Sequence, residues 1–103
     1  MLLNGEPVRS CLMLGVQAER CQVTTVEGLS APHGRPTPLQ CELVAQGAVQ
    51  CGFCTPGVVV TAAALLSDGL RRSRQELREL LSGNICRCTG YDPIVEAVFR
   101  CQH

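Results

Sequence analysis

The sequence has 103 residues, of which 46% are hydrophobic and only 3% aromatic, and its nine basic and nine acidic side chains cancel to a formal net charge of zero. This length suits one domain, or one domain and a fragment, with a core of Leu, Val and Ala side chains. The balanced charge and the scarcity of aromatic rings argue against a nucleic-acid-binding protein, which needs a basic surface or a stacking platform.

Eight cysteines are many for a chain of this length, and the expected compartment decides how we interpret them. The N-terminus lacks the basic region of a signal peptide, and the longest strongly apolar run, residues 58–66, is about half as long as a bilayer span. We therefore expect a cytoplasmic protein without a membrane span. Reducing conditions disfavour disulfides there, so metal ligation is the preferred role of the cysteines.

The first 28 residues are predicted to form β structure. Asn4-Gly5 between short apolar pieces is typical of a hairpin turn, and the β-branched residues in 22–26 predict a strand. Between them, residues 10–14 are expected to form a buried turn or a short helix. Because so small a unit is marginal alone, we interpret residues 1–28 as the remnant of a domain that is truncated at its N-terminus.

A linker is predicted to join this remnant to a helical domain. Residues 29–37 have the Pro, Gly and Ser content of a linker, and His33 is interpreted there as a solvated loop residue. Residues 38–103 are predicted to be helical, and the first helix begins with Thr37 as N-cap and Pro38 as first residue. Its predicted buried stripe is Leu39, Leu43 and Val44.

Two more helices follow in the sequence. The second is predicted to begin with Thr55 as N-cap and Pro56 in its first turn, and to close at residues 68–69, where glycine suits a helix end. Its apolar character on nearly all faces predicts a central position. The third begins at a capping box of Ser73 and Glu76. Its predicted buried residues are Leu77, Leu80 and Leu81.

The fourth helix is predicted to open at Asp92-Pro93. Its predicted inward-facing residues are Ile94, Val95, Ala97, Val98 and Cys101. The four helices then form two helical hairpins with one cysteine pair in each turn, an approximate internal duplication. The predicted fold class is mainly α: a four-helix bundle of two hairpins, preceded by the β remnant.

The two cysteine pairs are Cys51-Gly52-Phe53-Cys54 and Cys86-Arg87-Cys88. Side-by-side hairpins would bring four thiolates near the N-termini of the second and fourth helices, where free amides and the helix dipole stabilise negative charge. An oxidised [2Fe–2S] centre with four thiolate ligands is a dianion and would gain from this environment. Zinc also binds four cysteines, usually from C-x2-C knuckles, which the second pair fits less well. Iron–sulfur is therefore preferred over zinc, and a disulfide pair comes third.

The residues around these pairs resemble a known family. Residues 50–57 (QCGFCTPG) and 83–91 (GNICRCTGY) closely resemble the helical [2Fe–2S] domain of the molybdenum hydroxylases, such as xanthine dehydrogenase, aldehyde oxidase and the small subunit of carbon monoxide dehydrogenase. Residues 5–12 (GEPVRSCL) look like the end of the family's β-grasp, plant-type ferredoxin domain. The resemblance implies an electron-transfer role: a large molybdopterin subunit hydroxylates the substrate, and electrons leave through two clusters toward a flavin or another acceptor.

The resemblance also implies roles for particular residues. The ligands of the [2Fe–2S] cluster would be Cys51, Cys54, Cys86 and Cys88. Gln50 and Cys88 match positions that contact the pterin cofactor of the partner subunit, and the Gln50 amide can both donate and accept hydrogen bonds. Cys11 matches the fourth ligand of the second cluster, whose C-x4-C-x2-C loop is absent from this sequence. A truncated subunit is therefore favoured over a true one-cluster variant.

We thus expect the iron–sulfur subunit of an oxidoreductase complex, without catalytic residues of its own. The implied partners are a large molybdopterin-binding subunit and a medium flavin subunit that holds FAD. The alternative is a zinc-stapled or apo helical interaction module, as a degenerate truncated subunit. The remaining cysteines, Cys21, Cys41 and Cys101, are interpreted as small hydrophobic residues.

Overall fold

The structure, a computed structural model, describes residues 1–102. In this part of the chain four α-helices follow a small three-stranded sheet, in agreement with the mainly α class. The helices are α1 (Pro38–Ala45), α2 (Thr55–Ser67), α3 (Arg74–Leu80) and α4 (Asp92–Arg100). The strands are β1 (Leu2–Leu3), β2 (Glu6–Pro7) and β3 (Val23–Thr24).

The N-terminal sheet contains the predicted hairpin. Its strand order is β2-β1-β3, with β1 antiparallel to both neighbours. Asn4 and Gly5 connect β1 to β2 with φ angles of 51° and 87°, which fits the turn type that favours an Asn-Gly sequence. The Asn4 side chain also accepts a hydrogen bond from the backbone N–H of Gln22 at 2.8 Å. The third strand is shorter than predicted, because Val26 already begins a 3-10 turn, Val26–Leu29.

Of the two expectations for residues 10–14, the short helix is present and the buried turn is wrong. The segment does form a 3-10 turn, Ser10–Leu12, but none of its residues is buried. Leu12 and Leu14 keep 76% and 69% of their surface exposed, and Cys11 is exposed as well. The apolar residues here face outward because no helix of the described chain covers them.

The predicted helix starts are mostly confirmed. Thr37 Oγ1 accepts a hydrogen bond from the Gln40 N–H, and Gln40 Oε1 accepts one from the Thr37 N–H, which caps α1. The Ser73 and Glu76 capping box of α3 is present in the same reciprocal form. The second helix differs by one residue, because Cys54 occupies the N-cap position that we predicted for Thr55.

Two residues of the predicted apolar stripes are exposed. Leu39 and Leu43 of α1 are buried, whereas Val44 is 68% exposed. In the third segment Leu77 and Leu81 are buried, whereas Leu80 is 48% exposed. In both cases the buried residues are four apart and share a helix face, and the adjacent residue is rotated by about 100° away from the core.

The hydrophobic core lies between the four helices. Helix α4 packs against α1 and α3, and α1 also contacts α2. The predicted inward face of α4 is confirmed, because Ile94, Val95, Ala97 and Val98 are buried and Cys101 packs at the edge of the core. No helix within residues 1–102 is both long enough and apolar enough to cross a membrane.

The core prediction is tested by a matched pair on α1. Leu43→Ala removes a side chain that is 2% exposed, so we expect it to lower the free energy of unfolding by about 2–5 kcal/mol. Val44→Ala on the exposed face should change that free energy by less than about 0.5 kcal/mol. Urea unfolding followed by far-ultraviolet circular dichroism measures both. Equal losses for the two variants would contradict this core.

Candidate metal centre

The two cysteine pairs occupy the two loops that precede α2 and α4. Cys51 and Cys54 lie between α1 and α2, and Cys54 is the N-cap residue of α2. Cys86 and Cys88 lie in the loop between α3 and α4, three to five residues before the N-cap of α4 at Tyr91. The first helix terminus is thus adjacent to a predicted ligand, and the second is separated from its pair by a short turn.

The fold places the four predicted ligands close enough to affect one another's pKa values. Besides burial, which is the largest cause, the Cys86 thiol and after it Cys51 raise the pKa of Cys54, whereas Cys51, and after it Cys86, raises the pKa of Cys88. The main thiol neighbour of each lies on the other loop, so we group the four as two mixed pairs, Cys54 with Cys86 and Cys51 with Cys88. Cys86 is buried and Cys54 is half-buried, whereas Cys51 and Cys88 are exposed. One pair thus faces the protein interior and the other faces solvent.

The surroundings of Cys86 favour its thiolate form, whereas the surroundings of Cys54 disfavour the thiolate. The Thr89 hydroxyl, followed by the backbone N–H groups of Cys88 and Thr89, lowers the pKa of Cys86 to about 7. Burial, followed by the neighbouring Cys86 thiol, raises the pKa of Cys54. Interaction with the Cys51 thiol similarly raises the pKa of Cys88. Four adjacent thiolates therefore need a cationic partner, and metal binding would displace their protons.

The chemistry of this donor set fits an iron–sulfur cluster better than zinc. A structural zinc site needs four ligands at about 2.0–2.3 Å from one point. Within residues 1–102, no three His, Cys, Asp or Glu side chains converge in a way that could hold a single metal ion. Four cysteine thiols on two loops are instead the donor set that a [2Fe–2S] centre takes.

A hydrogen-bond network surrounds Cys86 in the second loop. Thr89 Oγ1 lies 3.1 Å from Cys86 Sγ, and it accepts a hydrogen bond from the Tyr91 N–H at 3.2 Å. The Tyr91 hydroxyl accepts one from the Cys86 N–H at 3.2 Å. Sequence reasoning missed Thr89. Its position three residues after Cys86 is the available signal, because Ser and Thr hydroxyls commonly bond groups at that distance in turns.

A second contact that sequence reasoning missed joins the second cysteine loop to helix α2, which follows the first cysteine loop. Asn84 Nδ2 donates to Thr61 Oγ1 at 3.0 Å. A Cβ atom at position 57 would lie 3.0 Å from Asn84 Oδ1, so Gly57 leaves room for this side chain. Asn84 lies two residues before Cys86, and Gly57 three residues after Cys54, so the contact fixes one cysteine loop against the helix that follows the other.

The other predicted site residues lie outside the four-sulfur group. Gln50 is exposed and directly precedes Cys51. Cys11 is exposed beside a cleft of about 380 Å³ that lies between the N-terminal segment and α2. Nearby, Arg9 Nη2 donates to the Gly83 carbonyl at 3.3 Å, which links this segment to the second loop.

The three remaining cysteines differ from one another. Cys101 packs against the core, as a small hydrophobic residue would. Cys41 is exposed, so its hydrophobic interpretation is wrong, because it lies on the outer face of α1. Cys21 is half-buried, with its thiol 3.8 Å from the Gln17 carbonyl.

Comparison with known proteins identifies similar chains over nearly the whole sequence. Residues 25–99 match the family model described as "[2Fe-2S] binding domain". The nicotinate dehydrogenase small FeS subunit of Eubacterium barkeri is 46% identical over 98 residues, which cover 95% of this chain and 62% of the relative. The xanthine dehydrogenase iron-sulfur-binding subunit of Escherichia coli O157:H7 is 40% identical, covering 99% of this chain and 65% of the relative.

A solved structure has the same fold. Quinoline 2-oxidoreductase from Pseudomonas putida 86 superposes with a TM-score of 0.89 and 49% sequence identity, over 95% of this chain and 60% of that one. This chain therefore spans about three fifths of the length of each of these three proteins.

The contact between Asn84 and Thr61 can be tested by a double-mutant cycle. Asn84→Ala and Thr61→Val each remove the same hydrogen bond, so each should lower the free energy of unfolding by about 1 kcal/mol. The double variant should lose less than the sum of the two single losses, because only one bond is available to lose. Urea midpoints measure all four proteins, and strictly additive losses would show that the two side chains are independent.

Proposed function

The chain belongs to the [2Fe–2S] binding domain family, in the form that occurs in the iron–sulfur subunits of molybdenum hydroxylases, and we propose that it relays single electrons within such a complex. The observation that carries this proposal is that the loops before α2 and α4 place Cys51, Cys54, Cys86 and Cys88 near one another. In this proposal the chain has no substrate chemistry of its own. The substrate is bound and oxidised on a large partner subunit that holds molybdopterin.

In this proposal Cys51, Cys54, Cys86 and Cys88 would hold the cluster. When bound, the cluster accepts one electron at a time and passes it on. The chain offsets the resulting negative charge with backbone rather than with basic side chains: Cys54 is the N-cap residue of α2, at the positive end of the helix dipole. The N–H groups of Cys88 and Thr89 serve Cys86 in the same way.

The four cysteines differ in exposure, which indicates the side of the site that a partner subunit can reach. Cys51 and Cys88 are exposed, whereas Cys54 and Cys86 are turned toward the core. We propose that the exposed pair faces the large subunit, with Gln50 and Cys88 at the pterin. Gln50 supports this role, because it is exposed next to Cys51 and its amide can both donate and accept hydrogen bonds to a pterin edge.

Two exposed apolar side chains next to the ligands form the proposed docking surface for the large subunit. Phe53 lies between Cys51 and Cys54 and is 93% exposed, and Ile85 directly precedes Cys86 and is 81% exposed. Exposed apolar groups mark interaction sites when they lie together rather than singly, so the shared position of these two beside the ligands carries the argument. Their position at the rim of the cluster loops supports the large subunit as occupant, since electron transfer requires the two cofactors to lie close together.

The finer details of assembly follow from the same proposal. A medium subunit with FAD is the proposed second partner, and the N-terminal segment faces it or a second cluster. Cys11, which is exposed, is proposed as the orphan ligand of that second cluster, whose other three cysteines are not in this sequence. We also interpret the helices as two hairpins, α1 with α2 and α3 with α4, because each interhelical loop carries one cysteine pair.

Metal analysis tests the proposed ligands. The purified protein should contain iron and acid-labile sulfide in equal amounts, and show the visible absorption of a [2Fe–2S] centre. Cys54→Ser and Cys86→Ser should lose that absorption, because each removes a thiolate ligand, whereas Cys41→Ser should keep it. One zinc per chain with no iron or sulfide would overturn the proposal.

Subunit assembly tests the docking surface. Phe53→Ser and Ile85→Ser should each weaken association with the large subunit by about tenfold or more, because a buried large apolar side chain contributes more than about 1.4 kcal/mol to binding. Leu70→Ser is the matched control. Leu70 is 62% exposed but lies beyond the opposite end of α2.

The measurement is the affinity of the reconstituted complex, with cluster absorption recorded for each variant. An equal loss of affinity in Leu70→Ser, or no loss in Phe53→Ser and Ile85→Ser, would show that the surface lies elsewhere.

A further inference from the structure

The Thr89 hydroxyl lies within hydrogen-bond distance of the Cys86 sulfur, and it is the donor when that sulfur is a ligand thiolate. A hydroxyl has one proton and two acceptor lone pairs. The Tyr91 N–H already occupies a lone pair of Thr89 Oγ1 at 3.2 Å, which leaves the hydroxyl proton free to point at Cys86 Sγ, 3.1 Å away. A cysteine that ligates a metal is a thiolate without a proton, so Thr89 is the donor.

Tyr91 holds Thr89 in place through a strained backbone. Its φ and ψ angles are 72° and −33°, and Gly90 before it has a φ of 69°. Glycine adopts this region freely, but a bulky residue rarely does so. Such strain persists only where the surroundings enforce it, and it is common at functional sites. Here the bend directs the Tyr91 N–H at Thr89, and α4 begins at the next residue.

The surroundings of Cys86 strengthen this contact. Cys86 is 8% exposed, so water competes weakly for its sulfur, and a hydrogen bond is electrostatically stronger there than in solvent. The Tyr91 hydroxyl also accepts from the Cys86 N–H at 3.2 Å. The same two residues therefore hold both the backbone and the sulfur of this cysteine.

We propose that Thr89 raises the reduction potential of the cluster through its hydrogen bond to Cys86 Sγ, and that Tyr91 is the residue that positions it. This inference rests on the proposed ligation by Cys86. One-electron reduction adds one negative charge to a centre that already carries four thiolates. A donor at a ligand sulfur therefore stabilises the reduced form more than the oxidised form, which makes the potential less negative.

The test compares two substitutions of Thr89 in the cluster-loaded protein. Thr89→Val keeps the shape of the side chain and removes the hydroxyl, so the midpoint potential should move to a more negative value. Thr89→Ser keeps the hydroxyl and should retain the wild-type potential. Redox titration followed by electron paramagnetic resonance measures each midpoint. Thr89→Ala provides a second hydroxyl-free variant if Thr89→Val fails to incorporate the cluster.

Tyr91→Phe separates a specific hydrogen bond from a general disturbance of the loop. This variant keeps the backbone N–H that holds Thr89 and loses only the ring hydroxyl. Its midpoint should therefore shift less than that of Thr89→Val. An equal or larger shift in Tyr91→Phe would overturn the role of Thr89, as would a Thr89→Ser protein that shifts as far as Thr89→Val.

The possible failures of the two proposals are distinguishable. A wild-type protein without iron and sulfide would overturn the proposed ligation, and this inference with it. A wild-type protein with a normal cluster, together with hydroxyl-free Thr89 variants at the wild-type potential, would overturn the role of Thr89 alone.

Discussion

Four adjacent cysteine side chains would repel one another as thiolates, and the surroundings of the two loops offset part of that repulsion. Arg87, the basic residue between two of the cysteines, is exposed, so it is not a buried counter-charge. Polar groups close to the cysteines take that role instead. Cys54 is the N-cap residue of α2, and the Thr89 hydroxyl, followed by the backbone of Cys88 and Thr89, lowers the pKa of Cys86. Because backbone dipoles are fixed by the fold, the site needs rigid loops.

The core supplies that rigidity to both loops at once. Helix α4 packs against α1 and α3, so the two cysteine loops connect elements of one hydrophobic core. The bond from Asn84 to Thr61 then ties the second loop directly to α2. Interactions of this kind hold the two cysteine loops at a fixed separation, which a cluster bound by both loops requires.

Local features of this fold could be predicted from the sequence, and tertiary ones could not. The Asn4-Gly5 turn and the capping boxes at Thr37 and Ser73 depend on residues close together in the chain, so their patterns sufficed. The exposure of Val44 depends on which face of α1 packs against other helices. Because Leu43 and Val44 are both apolar and adjacent, the sequence alone does not show which of them is buried. The pairing of cysteines across loops and the contact of Thr89 with Cys86 depend on how the loops meet and fold. The cysteine motifs themselves predicted the metal-binding loops.

The central claim is that Cys51, Cys54, Cys86 and Cys88 together would hold a [2Fe–2S] cluster. Crystals of the iron-loaded protein, measured at the absorption edge of iron, test this claim most directly. The account predicts two iron positions among these four sulfurs. A single metal at the centre of the four sulfurs, or iron bound by other residues, would contradict it.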